Sequence, residues 1–182
     1  MVDSTQISTS KAIQQRTGKT FHLATRLLPE RVRHSTYVLY AFFRVADDVV
    51  DTTADRDPDE QRRELEAVRA AALGDADAAE VTEAALGDDE REVLAAFREL
   101  ADHYDIADDD VNTFVDAMLS DLETAEYDTY EELAAYMRGS AVAVANMMMA
   151  VMDVEDCEDA APHAAALAEA FQLSNFLRDV RE

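Results

Sequence analysis

Four glycines and three prolines are all that interrupt 182 residues, and this scarcity limits the chain more than any other feature. A multistranded sheet needs tight turns that such a chain cannot supply, whereas long spans of Ala, Leu, Val, Met and Glu favour helices. The expectation is an all-α protein with one domain and a substantial apolar core. Residues 1–10 read as frayed, 11–17 and 20–28 as short helical pieces, and Pro29 as the first turn of a long helix reaching about Thr52. Residues 52–61 form a loop whose Asp57-Pro58 opens a helix to about Leu73, and 74–90 a polar connector with one helical turn. Helices are then expected over 89–103, 108–126, 129–153 and 161–182, the second of these opening on Asp108, Asp109 and Asp110.

Within the long helix, "YAFFRVADDVVD" (residues 40–51) sets three carboxylates among apolar residues. Asp47 and Asp51 are four apart and share a helix face, with Asp48 beside them. Tyr40, Ala41, Phe42, Phe43, Val45, Ala46, Val49 and Val50 surround them, unlike Asp108 to Asp110 or Asp88 to Glu90, which border loops. Carboxylates in an apolar helix need a partner, because unpaired charge in a low-dielectric setting is costly. Mg²⁺, or Mn²⁺ in its place, is one such partner, held by one or two carboxylates with waters and substrate phosphates completing its shell. Arg44, one turn before Asp48, suits a phosphate; its plainer role is an intrahelical ion pair.

The overall charge sharpens this reading. A net charge of −24 excludes casual nucleic-acid binding, which needs a basic face. With only Lys11 and Lys19 as lysines, so acidic a surface suggests a protein kept hydrated in a very salty cytoplasm. Yet residues 1–45 carry seven basic side chains (Lys11, Arg16, Lys19, Arg26, Arg31, Arg33, Arg44) against two acidic ones (Asp3, Glu30). A basic segment in such a chain calls for an anionic partner, either a phosphorylated ligand or the acidic remainder of the protein. No apolar run is long enough to span a bilayer, and "MVDSTQISTS" lacks the pattern of a secretory leader. The chain is therefore expected to be soluble and cytoplasmic. A single cysteine, Cys157, excludes an internal disulfide.

A second polar set lies near the end of the sequence. In "FQLSNFLRDV", Gln172, Asn175, Arg178 and Asp179 recur at three- and four-residue steps and share a helix face. Amide and carboxylate oxygens both ligate Mg²⁺, and Arg178 suits a phosphate. Leu167, Phe171, Ser174, Leu177 and Arg178 run along one side of that helix, and no stop signal marks its end. The polypeptide is therefore expected to be a fragment cut inside a helix.

The segments "TGKTFHLATRLLP" (17–29), "LYAFFRVADDVVD" (39–51), "AMLSDLETAEYDTYEELAAYMRGSA" (117–141) and "AFQLSNFLRDVRE" (170–182) together resemble the squalene/phytoene synthases, most closely the microbial phytoene synthases. The resemblance implies an all-α isoprenoid-synthase bundle around an apolar cavity, here its N-terminal part as one truncated domain over 1–182. It implies a prenyltransferase of carotenoid biosynthesis that condenses two geranylgeranyl diphosphates to a cyclopropylcarbinyl diphosphate and then to phytoene. By position, Asp47, Asp48 and Asp51 would bind Mg²⁺ from one wall, and Asn175 and Asp179 from the other. Arg44, Arg178, Lys19, Thr17 and Thr20 would hold diphosphate, while Tyr40, Phe21, Tyr136 and Gln172 line the chamber. Asp47, Asp51, Tyr40 and Arg44 would carry the catalysis, and a lipid product implies peripheral membrane contact. The chain departs from the family in Ala117, Val142 and Ala145, where glycines are usual, and in ending before a second aspartate four residues beyond Asp179. A fragment so truncated is expected to be inactive or weakly active alone. Two other readings stay open: a squalene or dehydrosqualene-type synthase using farnesyl diphosphate, and a non-catalytic acidic helical protein that binds cations or a partner. "NMMMAVM" (146–152) reads as adaptable core packing that could line a cavity for a prenyl chain.

Overall fold

A computed structural model describes residues 2–51, 56–75, 84–124, 126–154 and 157–179, though not the side chains of Cys157 and Asp179. All regular structure among them is helical, as expected. No helix there is long and apolar enough to cross a membrane. The chain divides into two compact units, 1–106 and 107–182.

In the first unit, α1 (Ser4–Thr17), α2 (Lys19–Thr25), α3 (Glu30–Asp51), α4 (Pro58–Leu73) and α5 (Asp88–Tyr104) follow in order. Residues 4–10 are helical rather than frayed, because Asp3 caps the helix: its carboxylate accepts from the backbone of Thr5 and Gln6, and the Gln6 side chain returns to the Asp3 N–H. Helix α3 ends at Asp51, as its apolar period and the following loop signals predict. It buries Val38, Leu39, Phe42, Val45, Ala46 and Val49 on one stripe. Phe42 stacks on Phe97 of α5 with centroids 3.9 Å apart, and burying such a ring contributes about 2–3 kcal/mol. Asp57 caps α4 and Pro58 occupies its first turn, while Gly74 at φ 70° ends it in the left-handed region. Gln61 of α4 donates to the Val49 carbonyl (2.6 Å), fixing the last turn of α3. Parts of the expected loop (52–55) and connector (76–83) lie outside the described residues.

In the second unit, α6 (Asp108–Asp121), α7 (Tyr130–Met137), a π-helical turn (Arg138–Val142), α8 (Ala143–Met152) and α9 (Cys157–Asp179) follow. Helix α6 stops five residues before the expected 126. The span expected as one helix, 129–153, contains the π turn, and the chain packs closely on α6 there. A Cβ at Gly139 would stand 2.6 Å from both the Ala117 Cβ and the Thr113 carbonyl oxygen of α6. Such π turns recur at functional sites. Ala117 fits at this crossing because position 139 has no side chain. Of the methionine run, Met147 is fully buried and Met152 nearly half exposed. Helix α9 begins at Cys157, four residues before the expected 161, with Pro162 inside it; positions 180–182 lie outside the described residues. Leu167, Phe171 and Leu177, expected along one side, are 58%, 65% and 74% exposed.

Candidate active site

In the first unit the candidate residues assemble around the middle of α3. Tyr40, Arg44, Asp48 and Asp51 follow one another at three- and four-residue steps, so they project from one stripe. The α1–α2 junction meets the upper end of that stripe. The Thr17 hydroxyl donates to the Ile13 carbonyl (2.9 Å) and lies 3.1 Å from the Tyr40 phenol. Phe21 stacks on Tyr40 with centroids 5.4 Å apart. Gly18 permits this approach, since a Cβ there would stand 2.5 Å from the Tyr40 oxygen. Lys19 and Thr20 lie exposed at the start of α2.

Arg44 lies below this aromatic pair. Its guanidinium donates to Asp48, and its other terminal nitrogen lies 3.5 Å from an Asp51 oxygen. Burial opposes its charge, but the hydrogen bond and charge of Asp48, with the charges of Asp47 and Asp51, outweigh this and raise the Arg44 pKa. The Arg44 Nε–H is buried without a hydrogen-bond partner. The sequence suggested carboxylates enclosed by apolar residues, but Asp48 and Asp51 are more than half exposed. They sit on the edge of the apolar stripe, and Arg44 is a partner of both. The intrahelical ion pair therefore exists. Among the described residues no group of three or more His, Cys, Asp or Glu side chains is arranged around a metal position. The donor set nevertheless suits a hard cation: two carboxylates already converge on one positive group, with Asp47 adding its field. A pocket of about 550 Å³ opens here, bordered by Ile13, Arg16, Arg44, Asp48, Asp89 and Glu90 among others.

Sequence reasoning missed the supports of this arrangement. Buried Gln14 donates to the Thr25 hydroxyl (3.2 Å) and accepts from His22 Nδ1 (2.9 Å), while Thr25 donates to the Phe21 carbonyl. This network ties α2 to α1 and sets Phe21 against Tyr40. The signal was weak because α1 is polar on nearly all sides. In the sequence Asp89 and Glu90 border a loop and Arg16 is one of seven basic side chains, so none of the three marks a site by itself.

In the second unit, Tyr136 donates to Asp121 (2.8 Å), and its ring lies 5.3 Å from Tyr127 and 6.2 Å from Phe176. Burial, then the Asp121 carboxylate, push the Tyr136 phenol well above its ordinary range, and the same two causes raise Tyr127. Both phenols thus stay protonated. Tyr127, Tyr136, Gly139, Thr113, Asp116 and Ser120 are among the residues bordering a pocket of about 500 Å³. On α9, Gln172 is half-buried while Asn175 and Arg178 are exposed; the Asp179 side chain lies outside the described residues.

The squalene/phytoene synthase profile matches residues 14–182. The chain belongs to the squalene/phytoene synthase family. It is 36% identical over 169 residues to the phytoene synthase of Cereibacter sphaeroides, covering 91% of this chain and 46% of that one. It is 34% identical over 179 residues to the phytoene synthase of Rhodobacter capsulatus, covering 92% and 46%. The fold is similar to that of a dehydrosqualene synthase crystallised with a ligand, at a TM-score of 0.76 and 25% identity over 96% of this chain and 56% of that one. The isoprenoid-synthase fold expected from the sequence is thereby confirmed. The chain spans about half the length of the curated relatives it matches.

Proposed function

We propose that both units are parts of one prenyltransferase domain, in a protein that condenses two geranylgeranyl diphosphates through a cyclopropylcarbinyl diphosphate to phytoene. The observation that carries this reading is the stripe on α3, where Arg44 and its carboxylates lie next to the stacked Tyr40 and Phe21. Asp47, Asp48 and Asp51 would hold Mg²⁺ or Mn²⁺, which when bound neutralises charge on a departing diphosphate. On α9 we assign Asn175 and Asp179 as metal ligands, Arg178 as a diphosphate contact and Gln172 to the chamber wall. Arg44 supplies a fixed positive charge as the leaving group gains negative charge, and its unused Nε–H is a further donor. Thr17, Lys19 and Thr20 add a hydroxyl, an ammonium and the first turn of α2 for diphosphate oxygens. Tyr40, Phe21 and Tyr136 present ring faces that steady an allylic cation and exclude water. Tyr136 keeps its proton throughout, held by Asp121.

The similarity to a dehydrosqualene synthase favours a second reading, in which farnesyl diphosphate is the substrate. Incubating the protein that carries this chain with each prenyl diphosphate, with and without NADPH, separates the two by product. Phytoene formed without NADPH supports the first, a thirty-carbon product the second, and no condensation product in any mixture contradicts both. We also propose that the protein works in the cytoplasm at high salt, with peripheral membrane contact to release its product. Its charge of −24 repels itself, so its melting temperature should rise steeply with added KCl, and a flat response would refute the high-salt reading.

A further inference from the structure

A second pocket in the first unit, of about 440 Å³, is bordered by Lys11 of α1, by His22 and Arg26 at α2, and by Arg33 and His34 of α3. Among the described residues no carboxylate borders it, although Asp and Glu outnumber Lys and Arg by 40 to 16 in the chain. Arg44, Arg56, Arg69, Arg91 and Arg98 all have carboxylate partners. No ion pair among the described residues includes Lys11, Arg26 or Arg33. Three cations gathered around one concavity repel each other, and an anion between them reverses that cost. In so acidic a protein, three cations with no carboxylate partner among the described residues keep the place open for an external anion.

The pocket wall is fixed in place. The Gln14 amide oxygen can only accept, so His22 Nδ1 carries a proton, and the Gln15 amide nitrogen, 3.3 Å from Nε2, can only donate. The His22 ring is thus held in place, and the charge of the lining comes from Lys11, Arg26 and Arg33. This pocket shares no residue with the one bordered by Arg44 and Asp48. Arg33 and Arg44 are 11 positions apart on α3, about 16 Å along the helix. Among the described residues it also contains no carboxylate with which to hold a bridging metal.

We propose that this pocket is a metal-independent binding site for a phosphate-bearing anion, separate from the α3 carboxylate site. Two sources share that chemistry: free diphosphate, and the phosphate of an anionic lipid. The lipid source gains from Leu23 and Leu27, 64% and 87% exposed, three residues before and one after Arg26, which would enter an interface that Arg26 approaches.

The test titrates inorganic diphosphate into the chain in excess EDTA, following heat or the phosphorus resonance. In parallel, the chain is sedimented with phosphatidylglycerol or phosphatidylcholine vesicles. Arg33→Gln and Lys11→Gln are expected to weaken binding at least tenfold in one of the two assays. Loss confined to the diphosphate titration identifies a soluble ligand; loss confined to phosphatidylglycerol vesicles, shared by Leu27→Ser, identifies a lipid. Circular dichroism checks each variant, and because Lys11 is exposed its variant serves if Arg33→Gln fails to fold. Binding that is absent from both assays, or that Lys11→Gln and Arg33→Gln leave intact, overturns the proposal. The readout needs no metal and no turnover, so it stands or falls apart from the proposed activity.

Discussion

Arg44 on α3 and Arg178 on α9 both follow from the same kind of sequence reading, a cation at helical spacing from carboxylate or amide groups, yet their settings differ. Around Arg44, buried neighbours and two carboxylates fix the guanidinium, and the α1–α2 junction fixes the aromatic pair one turn away. On α9, Asn175 and Arg178 are exposed, and so are the apolar Leu167, Phe171 and Leu177. One region is organised by packing within its own unit. The other carries Asn175 and Arg178 exposed on a helix where Gln172 and Phe176 are only half-buried. A helix face read from sequence thus gives adjacency of side chains, and burial of the opposite stripe decides how firmly they are held.

The sharpest way to break this comparison is at Arg44. Arg44→Ala removes the charge that three carboxylates surround, and product formation by the protein that carries this chain should fall by about 10²–10³. Arg44 is itself only 28% exposed, so circular dichroism should confirm that the variant folds; activity within threefold of the parent would remove Arg44 from the mechanism.

A smaller effect, on stability instead of turnover, is expected in the second unit. Gly139→Ala places a Cβ 2.6 Å from both Ala117 Cβ and the Thr113 carbonyl, so α6 or the π turn must shift. Overpacking of this kind costs about 1–3 kcal/mol, measurable by urea denaturation, and an unchanged midpoint would mean the crossing is loose.

The smallest effect concerns Asp110, which accepts from Asn146 (2.7 Å). Burial raises its pKa, the hydrogen bond from Asn146 partly offsets this, and the charge of Asp109 adds to the rise. The folded state therefore binds this proton more tightly than the unfolded chain. Its ionisation begins to cost stability as pH rises through the carboxylate range, and the full cost is present above the folded pKa. Asp110→Asn should accordingly raise the melting temperature slightly at pH 7 and leave it unchanged near pH 3. A gain at low pH only would reverse the assigned sign.

The helical class and the course of α3 were legible because Gly and Pro are scarce and because Pro29 and the apolar period delimit one long helix. The stripe carrying Tyr40, Arg44, Asp48 and Asp51 was legible for the same geometric reason. The start of α1 was less so: its residues are polar, and the Asp3–Gln6 capping box that secures it is a pair of side-chain bonds. The π turn coincides with the close approach of Gly139 to α6, a tertiary contact that no local period signals. The Gln14–His22–Thr25 network was hidden for a similar reason, since each residue alone is an ordinary surface type. The exposure of Asp48 and Asp51 also depends on packing around α3, which spacing does not reveal.

The central claim is that the α3 carboxylates and Arg44 receive a metal-bound diphosphate. Calorimetric titration of Mg²⁺ into the chain, with and without a non-hydrolysable prenyl diphosphate analogue, tests it most directly. The account predicts that the analogue tightens Mg²⁺ binding at least tenfold and that Asp47→Asn with Asp51→Asn abolishes this coupling while helicity is retained. Equal Mg²⁺ affinity with and without the analogue would contradict it and favour a helical protein that merely binds cations.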